Sequence, residues 1–326
     1  MKTTKYTTTI NKRNKDMKKI FISLLTAAAL VGCSDKDENL VIDDNRPVPI
    51  ELGAGVNMLS RAAIGNGSRI ENIGIAGWVA EKDQADYSEA PDWHTHLTIE
   101  SASSTTAQSV VWLEQQYYAQ EATHYTHMKA WHPCGNFTDK KLVDNRVEID
   151  NDGTVDVLMA NIIKGSKSDK ASTPLQFKHM TSQIKFKVQA GTGLDKGTTI
   201  NKIVIKDAQF PKGFDISKAF SNADAITYSD AADLQIPNVN TAQEITTTAA
   251  DAGDPVMIRP TNATSFFVDV TTSGTTYENC KVTLDGNATL KAGFACTVTL
   301  TFGQAGLQLT ALVDQWETGT GGATME

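Results

Sequence analysis

The chain has 326 residues, of which 30 are basic and 38 acidic, for a net charge of −8 at neutral pH. Residues 1–32 hold seven of the Lys/Arg and one Asp, so the remainder carries 23 basic against 37 acidic residues, a net −14. That balance excludes the basic face that nucleic-acid binding needs, and the 294 residues from Cys33 onward leave room for two domains of ordinary size.

Basic residues up to Lys18 and Lys19, the apolar run IFISLLTAAAL and the tetrapeptide LVGC ending at Cys33 follow in the order of a secretory signal peptide covering residues 1–32. The run is shorter than the roughly 20 residues of a membrane-spanning helix. LVGC has the small residues and the cysteine of a bacterial lipobox, which predicts Cys33 as the lipidated, palmitate-bearing N-terminus of the processed chain. Met17, followed by KKIF, offers a second start for the same signal. Next comes SDKDENL, within a tether over residues 33–47. Its Lys36, Asp37 and Glu38 resemble the signal that sends lipoproteins of one bacterial phylum to the outer face of the outer membrane, or they form an ordinary charged tether; these residues alone favour neither.

From Ile50 the apolar residues Ile50, Leu52, Ala54, Val56 and Met58 fall on every second position, the period of a strand with one buried face. The following SRAAIGNGS reads as an exposed connector, where Arg61 between small residues suits a trypsin-like protease. Histidines cluster further on as HTH (His94, His96), HYTH (His124, His127) and His132. Two imidazoles on one strand face can bind zinc or copper, yet no HExxH frame or carboxylate base accompanies them, so half-buried or surface histidines are the expectation and no metal or cofactor is called. Asp150 and Asp152 lie in the turn signal NDG. His179 sits in a strand-like run and is expected to be a hydrogen-bonded structural residue.

Apolar residues vanish over IIKGSKSDKASTP (162–174), which places a linker or long hairpin there and divides the chain into domains at 48–170 and 171–326. Beyond it, QIKFKVQ, TVTLTF and LQLTALV alternate strictly, with Leu307, Leu309, Ala311 and Val313 on one face of the last. Turn signals at 151–153 and 285–287 separate the runs, and SEAPDW and ISKAF offer at most short helices. The chain therefore reads as all-β, built of sandwiches or partly closed barrels. Besides Cys33 only Cys134, Cys280 and Cys296 remain. Cys280 and Cys296 either bridge or stay as buried thiols.

The chain has no GxSxG elbow, Walker loop or GxGxxG after a strand, so an enzyme is not expected. A zinc hydrolase would need the histidines to converge. A surface glycan binder would use exposed aromatics, for which Trp93, Trp112, Tyr117 and Tyr118 are the candidates, with core packing the commoner fate of such residues.

Several segments in order resemble the fimbrillin family, the pilin lipoproteins of type V pili: the lipobox, IELGAGV followed by SRAAIGNGSRIENIGIAGWVA, HMKAWHPCG, VDVLMAN, LQFKHMTSQIKFKV, and the closing LKAGFACTVTLTF with LTALVDQWETG. The resemblance implies two transthyretin-like Greek-key β-sandwich domains in tandem, exported as a lipidated precursor to the outer membrane and cell surface. It implies that an Arg-specific protease cuts after an arginine that follows the first strand, removing lipid and strand together, and that the groove left behind accepts a strand from another pilus subunit in a fimbrium serving adhesion to a host or bacterial target. Arg61, followed by Ala62, matches that arginine. Arg46 and Arg69 compete, but a cut at Arg46 precedes the strand and opens no groove. The donor is expected around Leu307 to Val313 or in the tail after Trp316. Only ten residues, Glu317 to Glu326, follow that Trp, so the preceding strand must swing out, or the subunit is a tip, minor or uncut anchor form.

Overall fold

The computed structural model describes residues 46–56, 67–83, 85–103, 105–135, 144–220 and 223–315. All of these described residues fall in a single compact unit. Among the described residues there is no α-helix, only two three-residue 3-10 turns at Ala223–Ala225 and Asp285–Asn287. SEAPDW and ISKAF, offered above as short helices, are turns and bends.

The first half contributes β1 (Gly53–Val56), β2 (Ile70–Glu81), β3 (Trp93–Ile99), β4 (Gln108–Trp112), β5 (His124–His132), β6 (Arg146–Glu148), β7 (Leu158–Ala160), β8 (Ile163–Gly165) and β9 (Leu175–His179). They run β2-β3-β4-β1-β9-β7-β5, and a further pairing of β2 with β5 closes the row into a ring, with β8 hanging on β5. Of the two architectures that alternation left open, this half takes the partly closed barrel. The run 162–174 is not bare linker, because β8 forms inside it. β9, placed by the sequence boundary in the second half, pairs with β1 and β7, so the change of partners falls between His179 and Ser182.

The second half contributes β10 (Ser182–Ala190), β11 (Ile200–Ala208), β12 (Pro211–Asp215), β13 (Ile226–Tyr228), β14 (Ala232–Gln235), β15 (Ala250–Asp251), β16 (Val256–Ile258), β17 (Ser265–Thr272), β18 (Thr276–Thr283), β19 (Phe294–Gly303) and β20 (Gly306–Gln315). One sheet runs β15-β10-β19-β20, with β16 also on β10, and another runs β14-β11-β17-β18. Strict alternation forms these strands: Ile184, Phe186 and Val188 of β10, and Val298, Leu300 and Phe302 of β19, are buried in one core, while Lys185, Lys187, Thr297, Thr299 and Thr301 are only partly covered. Asn151 of the NDG turn is 1% exposed. Its Oδ1 accepts from the amides of Gly153 (2.8 Å) and Val155 (3.1 Å), and its Nδ2 donates to Pro211 O (3.0 Å). The turn is thus tied to the start of β12 rather than closing a hairpin.

A small sheet β13-β12-β6 joins the halves, and under it lies a core of Trp78, Trp131, Val147, Met159, Phe214 and Ile216 among others. β2 and β5 are buried on both faces for this reason. Ile73, Ile75, Met128 and Ala130 point into the ring, and Ala76, Trp78 and Trp131 into the joint. Gly74 lets this happen, since a Cβ there would stand 2.5 Å from the Trp131 ring. Lys129, 1% exposed, donates from Nζ to the carbonyls of Ile216 (2.8 Å), Lys218 (3.2 Å) and Ser217 (3.4 Å) and lies 3.7 Å from the centre of the Tyr87 ring. Burial pushes its ammonium down to about 8, with Asp215 pulling the other way.

Candidate functional site

The first strand is a stave of the ring with a partner on each edge. β1 runs antiparallel to β4, with Gly53 opposite Ser109, and parallel to β9, with Val56 opposite Phe177. The segment before it is tied along the same line. Ile50 N–H donates to Gln116 O (2.9 Å), Val110 N–H to Leu52 O (3.2 Å), Tyr118 N–H to Val48 O (3.0 Å) and Val56 N–H to Ser103 O (3.2 Å). Gln115 Nε2 adds a bond to Ile50 O at 3.0 Å.

The inward side chains are those the alternation picked. Ile50, Ala54 and Val56 are fully buried and Leu52 is 7% exposed, all inside the ring core with Ile70, Ile73, Ile75, Leu97, Phe177 and their neighbours. Regular pairing begins later than the predicted Ile50: it covers Gly53–Val56, and residues 50–52 reach the ring through single bonds. Met58, Arg61 and Ala62 lie outside the described residues, as do Cys33, Lys36, Asp37 and Glu38. Of the competing arginines, Arg69 directly precedes β2 and is held in ion pairs with Glu71 and with Glu100, the latter at 2.9 Å.

Outward, β1 presents two glycines. A Cβ at Gly53 would meet Ala107 Cβ at 3.3 Å, and one at Gly55 would meet the Gln176 side-chain amide at 3.2 Å. Taking β1 away would therefore uncover a trough one strand wide, with free ladder groups on β4 and β9 and an apolar floor.

The predicted donor strand, β20, sits at the edge of its sheet and pairs residue for residue with β19 from Phe294–Gln315 to Gly303–Gly306. Ala311 is buried, whereas Leu307, Leu309 and Val313 are only partly covered and Leu312 is 52% exposed. On its far side a groove of about 780 Å³ opens between Leu309–Leu312 and the turn Leu284–Asn287, bridged only at Leu284–Ala311.

The other candidates do not converge. Among the described residues no three His, Cys, Asp or Glu side chains meet in a metal-holding group. His179 Nδ1–H donates to Asp156 Oδ2 (2.8 Å), both side chains being almost wholly buried, and His132 Nδ1 lies 3.0 Å from Asp156 O. Asp156, which sequence reading missed, is thus the anchor of two histidines. Burial lowers the basicity of His94, His127 and His132. The thiols of Cys134, Cys280 and Cys296 are free. Cys280 and Cys296 are not bridged; burial pushes Cys296 up to about 12, far from a nucleophile at neutral pH. Trp93 and Trp112 pack edge to face at 6.1 Å against the ring core and Tyr118 is 2% exposed, which leaves Tyr117 as the open aromatic of the proposed sugar platform.

The fimbrillin-like family matches the chain over residues 60–316. The chain belongs to that family. In this fimbrillin-like protein the match starts C-terminal to β1 and next to Arg61. Among solved structures it is similar to a candidate cell adhesion protein from Bacteroides uniformis, with a TM-score of 0.54 at 17% identity over 83% of this chain and 99% of that one. A second such protein, from Bacteroides ovatus, gives 0.52 at 16% identity over 83% and 99%. At that identity the likeness speaks for the fold of the fimbrillin-like chain alone. No curated protein matches it in sequence.

Proposed function

We propose that this protein is a pilus subunit of the bacterial surface, exported as a lipoprotein precursor and assembled by strand exchange into a fimbrium that serves adhesion. Its role is structural, with no cofactor. Residues 1–32 direct export, the Cys33 lipid holds the precursor in the outer membrane, and Lys36, Asp37 and Glu38 carry it to the outer face. An Arg-specific protease cuts between Arg61 and Ala62. β1 then leaves with the lipid, and a strand of another subunit takes its place. Of the two transthyretin-like Greek-key sandwich domains that the family resemblance implies, the second half, with two sheets on one core, suits such a sandwich, whereas the first is the ring described above; the strand pairing favours a boundary at residues 180–182 over one at 170.

The observation that carries this reading is the place of β1: an interior stave, paired on both edges, with buried side chains at every inward position, ahead of the connector that holds Arg61. A strand so placed can be exchanged but not merely lost. Burying Ile50, Leu52 and Val56 is worth about 5–9 kcal/mol gross, an upper bound, and the empty trough regains it only from an incoming strand. Because the site and the donor are different surfaces, the contact is head-to-tail and grows into a fibre.

Treatment of the purified precursor with an Arg-specific protease, followed by electron microscopy, tests this. Wild type is expected to give filaments, and Arg61→Ala to stay monomeric. Filaments from Arg61→Ala as abundant as from wild type would overturn the maturation step. A clean cut at Arg61 without filaments would assign the chain to a tip or minor position, and resistance of Arg61 to the protease to an anchor.

A further inference from the structure

The inward residues of the first strand and of the last strand have the same order of sizes. Ile50, Leu52, Ala54 and Val56 line the ring core, and Leu307, Leu309, Ala311 and Val313 line the inner face of β20. Aligned without a gap, IELGAGV and LQLTALV agree at Leu, Ala and Val and pair Ile with Leu and Glu with Gln. Resting on the strand-exchange reading above, we propose that β20 of a second copy of this chain enters the β1 trough in the direction of β1 and in one register: Leu307 at the site of Ile50, Leu309 at Leu52, Ala311 at Ala54 and Val313 at Val56.

The small residue fixes the register. Ala54 is fully buried against the ring core, so a larger side chain there must displace packed neighbours. A slip of two residues forward puts Val313 in the Ala54 site and Ala311 in the Leu52 site, which overfills one and leaves a hole in the other. A slip of one residue turns Gln308, Thr310 and Asp314 inward. Reversal of the strand about Ala311 brings Gln315 to the Ile50 site and Val313 to that of Leu52. Only the stated alignment gives each site a side chain of its own size.

The outer face sets a condition. Thr310 then stands where Gly53 was and Leu312 where the buried Gly55 was; their Cβ atoms would approach Ala107 Cβ at 3.3 Å, and the Gln176 amide at 3.2 Å with Ser103 O at 3.3 Å, so the amide must turn aside and the backbone at Ser103 and Ala107 give by a few tenths of an ångström. Exchange also improves the donor's own lot. In its sheet β20 has one full-length neighbour, β19, with Leu307, Leu309 and Val313 half-covered, whereas the trough offers two neighbours and full burial. The two-residue turn Gln304–Ala305, with Gly306 at φ +111°, is where the strand can part from β19.

Cross-linking reads the register directly, because Ser109 of β4 faces Gly53 and therefore faces Thr310 of the incoming strand. In a Cys134→Ser, Cys280→Ser background, the pairs Ser109→Cys with Thr310→Cys, Ser109→Cys with Gln308→Cys, and Ser109→Cys with Leu312→Cys are made; all four positions are exposed, so the fold is spared. Each precursor is cut with the Arg-specific protease, examined by electron microscopy, oxidised and run on a non-reducing gel. The expected result is filaments from all three and a disulfide-linked ladder from the 109–310 pair alone, since a two-residue slip moves the partner to roughly 7–8 Å, beyond disulfide reach. A ladder from 109–308 or 109–312, or filaments with no ladder in any pair, overturns the register while leaving strand exchange standing. Cut protein that forms no filaments in any form, wild type included, overturns the entry of β20 from a second copy and the register with it, and leaves the tip or minor position named above.

Discussion

Lys129 is the residue on which the joint between the halves turns. Its ammonium satisfies three carbonyls of the turn after β12 and packs on Tyr87, so Lys129→Met leaves those acceptors without their donor in a dry site. The variant is expected to lose about 2–4 kcal/mol of stability, measured by urea unfolding. The pH dependence has a definite sign. The folded-state value of about 8 lies below the ordinary 10.5, so between those two the unfolded chain binds more protons. Stability of wild type relative to Lys129→Met therefore rises from about pH 8 to 10.5. A fall over that window would show that the charged form is the one the joint favours. Sequence reading missed this lysine, although a lone Lys inside HMKAW, where its neighbours on both sides are apolar, was the signal for it.

At the scale of the element, the proposed donor β20 is held by fewer neighbours than β19. β19 is paired on both edges, to β10 and β20, whereas β20 has β19 alone along its length apart from the single bridge at Ala311. Hydrogen exchange followed by mass spectrometry is expected to find residues 306–315 opening at lower free energy than residues 294–303; equal protection would argue against β20 as the donor. These two strands were legible in the sequence because one face is wet and one dry, so alternation reports the fold. β1 was legible on the same ground, down to the parity of Ile50, Leu52, Ala54 and Val56. β5 was not, because both of its faces are buried and the period disappears. The parallel pairing of β1 with β9 and of β10 with β19 left no mark either, since it joins residues more than a hundred apart in the chain. Nor did β8, which forms where apolar residues thin out over 162–174.

At the scale of the whole molecule β1 fills the place between β4 and β9. In the function proposed above, Cys33 precedes β1 in the sequence, so a single cut between Arg61 and Ala62 would release the molecule from the membrane and make the trough available in one event. Cys33→Ala is expected to leave the precursor without lipid and out of the membrane fraction, while cutting at Arg61 and filament growth proceed; unchanged lipid labelling in that variant would contradict the anchor. On that proposal β1 is expected to stay in place for a time after the cut, held by its hydrogen bonds and its buried side chains, so that strand departure rather than proteolysis sets the pace of growth. The measurement that tests the account most directly is the mass of the subunits in washed filaments. The account predicts chains that begin at Ala62, with no fragment containing Ile50 to Val56 retained; filaments whose subunits still carry that strand, whether uncut, cut at Arg46 or cut at Arg61 with the fragment bound, would contradict it.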